Sequence, residues 1–203
     1  MNINIRNDSV EISGYVNAVE RNSRPLTSRI GKFIERICKG AFSNALKRSD
    51  DVHILLNHRW DRDLGSVKQG NLELHEDNIG LHARATVTDT DIVEKARNGE
   101  LVGWSFGFKD VDVDEGTQDN LLLRMVKELD LVEVSILDRT RTPAYDGTLV
   151  MVRAEDDICY YGDDMITDVN VREETVTEHR EDVKNIDYSE YEEILKTIKE
   201  EKK

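Results

Sequence analysis

The run Gly103-Trp104-Ser105-Phe106-Gly107-Phe108, inside the longer stretch Leu101 to Val111, decides how this chain is read. Along a strand, side chains alternate between faces. Trp104, Phe106 and Phe108 therefore share one face, which reads as core. Ser105 points the other way, between two glycines. Small neighbours leave room for a peptide backbone to approach the hydroxyl. The plainer alternative is an ordinary strand serine among turn glycines.

Outward from that run the chain is rich in strands. Val10 to Val19, Val52 to Asn57, a run starting at Leu64, Leu72 to His75, Gly80 to Val87, Leu121 to Lys127 and Leu129 to Leu137 carry strand patterns. Asp114 to Asn120 reads as a polar loop. Gly40 to Arg48 and Asp89 to Asn98 read as short helices, with basic residues at their C-terminal ends. The fold class expected is α+β: a small bent β-barrel with short helices packed outside it.

The pattern changes after about Val152. The chain has 203 residues and a net charge of −14. From Ala154 onward it carries 17 acidic and 7 basic residues, a net of −10, so the rest is close to balanced at −4. The domain division expected is a body over 1–152 and an acidic tail over 153–203. The tail ends in a helix whose Tyr188, Tyr191, Leu195 and Ile198 recur at helical spacing. An acidic balance argues against nucleic acid as a partner, because phosphate binding rests on Lys and Arg. No apolar run approaches the roughly 20 residues of a membrane span, so no membrane partner is expected. The N-terminal residues lack the apolar core of a signal peptide, which points to the cytoplasm. Cys38 and Cys159 are expected to be free thiols there. His75, His82 and His179 show no metal-ligand spacing, and neither metal nor cofactor is expected.

Two further places join Ser105 as candidates. His58 follows directly on the apolar run Val52 to Asn57, where it can sit at a cleft edge. Glu133 lies in Leu131-Val132-Glu133-Val134-Ser135-Ile136, on the face opposite Val132, Val134 and Ile136. A carboxylate on such a face needs a partner; a histidine is one and an arginine is the bland alternative. Together the three supply what acyl transfer requires. A serine hydroxyl is a weak nucleophile until a base takes its proton, and a carboxylate on the other ring nitrogen holds that base in the right tautomer. His53 is the alternative base, Ser135 the alternative nucleophile and Asp130 the alternative acid.

At these residues the chain resembles the prohead maturation proteases of tailed phages, distant relatives of herpesvirus assemblin. The resemblance runs from roughly Ser13 to Val150. It takes in Gly14-Tyr15, Gly40-Ala41-Phe42, Leu55-Leu56-Asn57-His58, Leu64-Gly65 and Gly80-Leu81. It continues through Ser105-Phe106-Gly107-Phe108, Leu131-Val132-Glu133-Val134-Ser135 and Pro143-Ala144-Tyr145. It implies a serine endopeptidase with an assemblin-like barrel, with His58 as base, Ser105 as nucleophile and Glu133 as the acidic third member. It implies major capsid protein precursor, scaffold protein or both as partners, cleaved inside the assembling procapsid in the host bacterial cytoplasm. Cleavage of the chain itself and self-association are compatible with it. The chain departs from the family at Arg59-Trp60-Asp61, where relatives commonly have Asp-Pro. It also has a longer link, Asp138 to Thr142, after the Glu133 strand. Arg139 and Arg141 in that link are candidates for the oxyanion hole by analogy with the herpesvirus enzymes. The rival function is a catalytically inactive scaffolding or assembly protein on the same fold.

Overall fold

A computed structural model describes residues 1–28, 31–141, 159–162 and 170–173. The terminal helix expected at the end of the tail lies outside these residues. Twelve strands and two α-helices are described. One sheet has the order β12-β1-β2-β8-β7: β12 is Asn170–Glu173, β1 Asn2–Ile5, β2 Val10–Ala18, β8 Gly80–Val87 and β7 Leu72–Glu76. The other has the order β11-β9-β10-β4-β3: β11 is Cys159–Gly162, β9 Leu101–Gln118, β10 Leu121–Asp138, β4 Gly31–Ile37 and β3 Leu26–Ser28. Off this path, β5 (His53–Leu56) pairs with β10 and with β6 (Arg59–Ser66).

The expected barrel is corrected here: the described strands form two sheets and no closed barrel. The reason lies in β10. One edge takes β9 along the whole strand. The other is shared, with β4 alongside Leu122–Val126 and β5 alongside Glu133–Ile136, both parallel. Strands branch from β10 at two levels, so the sheet does not close on itself.

The two sheets pack through the aromatic face expected of β9. Trp104, Phe106 and Phe108 are buried, with Phe106 and Phe108 stacked at 5.4 Å. Helix α1 (Ala41–Arg48) meets this stripe edge-on, Phe42 to Phe106 at 5.3 Å. Its N-terminus is held by Glu76, which accepts from the Gly40 N–H at 2.6 Å and the Ser43 N–H at 2.7 Å. A carboxylate suits that position because the first-turn N–H groups lack helical partners and the dipole is positive there. Helix α2 (Thr90–Arg97) is capped by Asp89, whose side chain accepts from the Ile92 N–H at 3.1 Å, and it buries Ile92, Val93 and Ala96. Two glycines of the sequence motifs mark close approaches. A Cβ at Gly80 would lie 2.0 Å from the Asn17 carbonyl oxygen, and one at Gly14 would lie 3.1 Å from the Met1 Cα and 3.4 Å from the Trp104 Nε1.

Asp114 to Asn120 is not a loop. Only Asp119 and Asn120 form the turn, both with positive φ, and β9 and β10 pair up to Gln118–Leu121. The outer half of this hairpin is bound by ion pairs: Lys127 to Asp112 at 3.1 Å and to Asp114 at 3.0 Å, and Arg124 to Glu35 at 2.6 Å. A ribbon with water near both faces lacks the apolar alternation that marks a strand.

Candidate active site

The site is built at the end of β10 remote from the hairpin turn. Register places Ser105 of β9 directly opposite Ser135 of β10, and Gly107 opposite Glu133. Residues directly opposite in an antiparallel pair share a face, so Ser105, Ser135 and Glu133 lie on the same side, with glycine instead of a side chain facing Glu133. At Gly103, two residues from Ser105 on that side, an added Cβ would meet nothing within 4 Å. Ser105 is fully buried, and its hydroxyl makes no hydrogen bond among the described residues.

His58 arrives from the other edge. Strand β5 runs parallel to β10, pairing His53 with Glu133 and Leu56 with Ile136. It then reverses into β6 through two residues, Asn57 (φ 55°) and His58 (φ 60°), with Leu56 opposite Arg59. Positive φ at both central residues is what a two-residue hairpin turn of the favoured hand requires, and Asn and His accept it better than most residues. The turn is pinned to the end of β10. The Asn57 N–H donates to the Ile136 carbonyl at 2.9 Å, its amide donates to Asp138 Oδ1 at 2.9 Å, and its Oδ1 accepts from the Asp138 N–H at 3.1 Å. The His58 N–H donates to Ser135 Oγ at 3.0 Å.

This holds the His58 ring against Glu133, with Nδ1 2.7 Å from Oε1. The second carboxylate oxygen, Oε2, accepts from the Ser135 hydroxyl at 2.5 Å. Glu133 is therefore a buried carboxylate with a donor on each oxygen, the condition under which a buried charge is tolerated. With the Nδ1 proton donated to Glu133, the ring lone pair sits on Nε2, the tautomer a general base needs. Asp138 is also buried. Burial opposes its charge, but hydrogen bonds from Thr140 and Asn57 and the nearby Lys95 ammonium outweigh it and hold its carboxyl below the usual range.

The alternatives considered from sequence are placed elsewhere or in other contacts. His53 holds Asp63 through Nδ1 at 2.8 Å and lies 3.8 Å from Asp51 through Nε2. Asp130 is exposed and pairs with Arg48 at 3.4 Å. Ser135 joins Glu133 to the His58 main chain. Arg139 opens a short 3₁₀ turn, Arg139–Arg141, directly after β10, and its main-chain N–H donates to the Glu100 carbonyl. Sequence reading did not find Ser135 as a link or Asn57–Asp138 as a clamp. The link is Asn-His and carries no glycine, and β6 opens on the mostly charged Arg59-Trp60-Asp61-Arg62-Asp63, so neither turn chemistry nor apolar alternation marks a hairpin there.

A family model described as caudovirus prohead serine protease matches residues 1–158. The chain belongs to the caudovirus prohead serine proteases. No curated protein and no solved structure matches it. As a prohead serine protease the chain is a phage hydrolase of capsid maturation. Its match covers the two helices, β1 to β10, and every residue of the site described above.

Proposed function

We propose that this prohead protease hydrolyses peptide bonds of capsid or scaffold precursors with Ser105 as nucleophile, His58 as general base and Glu133 as the group that orients His58. The observation that carries the reading is the 2.7 Å contact between His58 Nδ1 and a fully buried Glu133, on the face of the sheet that also bears Ser105. In this reading His58 takes the Ser105 proton as Oγ attacks the scissile carbonyl carbon. The imidazolium then returns the proton to the leaving amine, and water releases the acyl group by the same route in reverse. Glu133 stabilises the imidazolium and keeps its own charge. Arg139 and Arg141 are the candidates for the oxyanion.

The catalytic unit in this reading is the body, 1–152, and the segment 153–203 brings it into the assembling shell or is trimmed there by the same chemistry. The site of action is the procapsid inside the host cell. No described helix is long and apolar enough to cross a membrane. Incubating the full chain with its capsid precursor tests the assignment. Ser105→Ala should lose cleavage by on the order of a millionfold with its thermal transition retained or raised, since the hydroxyl removed is buried and unpaired among the described residues. An inactive scaffolding protein would leave the precursor intact with either chain.

A further inference from the structure

Strand β11 lies on the outer edge of the sheet, antiparallel to β9. It sets Cys159 opposite Phe108, Tyr160 opposite Gly107, Tyr161 opposite Phe106 and Gly162 opposite Ser105. The other edge of β9 is taken by β10 from end to end. An extended peptide that reaches the Ser105 strand by main-chain pairing therefore has one edge to use, and a segment of this chain already occupies it. That segment belongs to the acidic stretch beyond the body and begins immediately after the family match ends at residue 158.

Edge pairing of this kind draws its affinity from main-chain hydrogen bonds, so any extended segment is a candidate guest. β11 is only four residues long, and a longer guest makes more ladder bonds. Being part of the same chain, however, it acts at a high effective concentration. We propose that β11 is an intramolecular competitor: it holds the edge of β9 that an extended precursor segment must take to reach Ser105, and the precursor displaces it. This inference rests on the proteolytic reading above.

Proline scanning in the full chain tests it. Along an antiparallel edge, alternate residues aim their N–H at the partner or away from it. Proline removes a ladder bond at one parity and is tolerated at the other. Of Tyr160→Pro and Tyr161→Pro, one should release β11 and the other should behave like the parent. In the releasing variant, KM for a capsid-precursor peptide should fall about fivefold or more, the equivalent of one lost hydrogen bond, with kcat unchanged. The β9 amides facing β11 should lose hydrogen-exchange protection in the same variant. Loss of protection with KM unchanged or raised would overturn the competition and leave the protease reading standing. Unaltered protection in both variants would overturn the pairing itself. If neither parent nor variants cleave the peptide, the proteolytic reading fails and the competition with it.

Discussion

Ser105 makes no hydrogen bond among the described residues although it is fully buried. A buried hydroxyl left unpaired costs about 1–3 kcal/mol, so its retention there calls for a reason other than stability, and a nucleophile is such a reason. Its neighbours are spent differently. Glu133 uses both oxygens, one on His58 and one on Ser135, while Ser135 donates to Glu133 and accepts from the His58 main chain. These roles predict graded losses. His58→Ala should be about as damaging as Ser105→Ala, since the two act as a unit. Glu133→Gln should retain more activity than either, because an amide still positions the ring but stabilises the imidazolium poorly. Ser135 acts through its neighbours. Ser135→Ala should lower kcat about tenfold, the value of one hydrogen bond to a charged group, with KM unchanged, and Ser135→Thr should restore most of it. A role in packing alone would lower the melting temperature without this split between kcat and KM.

At the scale of elements, the site depends on one hairpin turn being held to the end of β10. Asn57→Ala removes the Asp138 contacts and places a less tolerant residue at positive φ. It should cost about 1–3 kcal/mol by denaturant unfolding, and activity should fall with it. Asp138 adds a pH signature. Its folded-state carboxyl lies below the unfolded value of about 3.9. Its contribution is therefore complete above about pH 4 and is lost as pH falls through the lower folded value. The parent should lose stability more steeply below about pH 4 than Asp138→Asn; identical acid profiles would remove Asp138 from this role. The elements that sequence made legible are those with one wet and one dry face or with a continuous apolar run, such as Val52 to Asn57. β8 spans Gly80–Val87 as its alternation suggests, and α2 lies within its caps Asp89 and Asn98. β4 was not legible because GKFIERI has no clean period, and its Glu35 is buried through a contact with Arg124 that lies 89 residues away. β1 was missed in a polar N-terminal stretch, where Met1, Ile3 and Ile5 are the buried residues among Met1 to Ser9.

At the scale of the whole molecule, periodicity finds strands but not how a sheet ends. That is why the aromatic stripe of β9 was legible while the two branching sheets were not: the branching depends on β4 and β5 sharing one edge of β10. Nor does local pattern show that short segments from beyond residue 152 pair with both sheets, β11 with β9 and β12 with β1. A test of the tail should therefore cut after Glu173, beyond both strands. If the rest of the acidic segment docks the enzyme in the shell, the shortened chain should cut a precursor peptide at the parent rate and be depleted from isolated procapsids. Equal incorporation would leave that segment a solubilising role only. The central claim, that His58 activates Ser105, is tested most directly by treating the full chain with a serine-reactive fluorophosphonate and mapping the adduct by mass spectrometry. The adduct is predicted on Ser105, forming in step with loss of precursor cleavage and at least a thousandfold more slowly in His58→Ala, in keeping with the roughly millionfold coupling of such pairs. An adduct on Ser135, or one on Ser105 that forms as fast without His58, would contradict it.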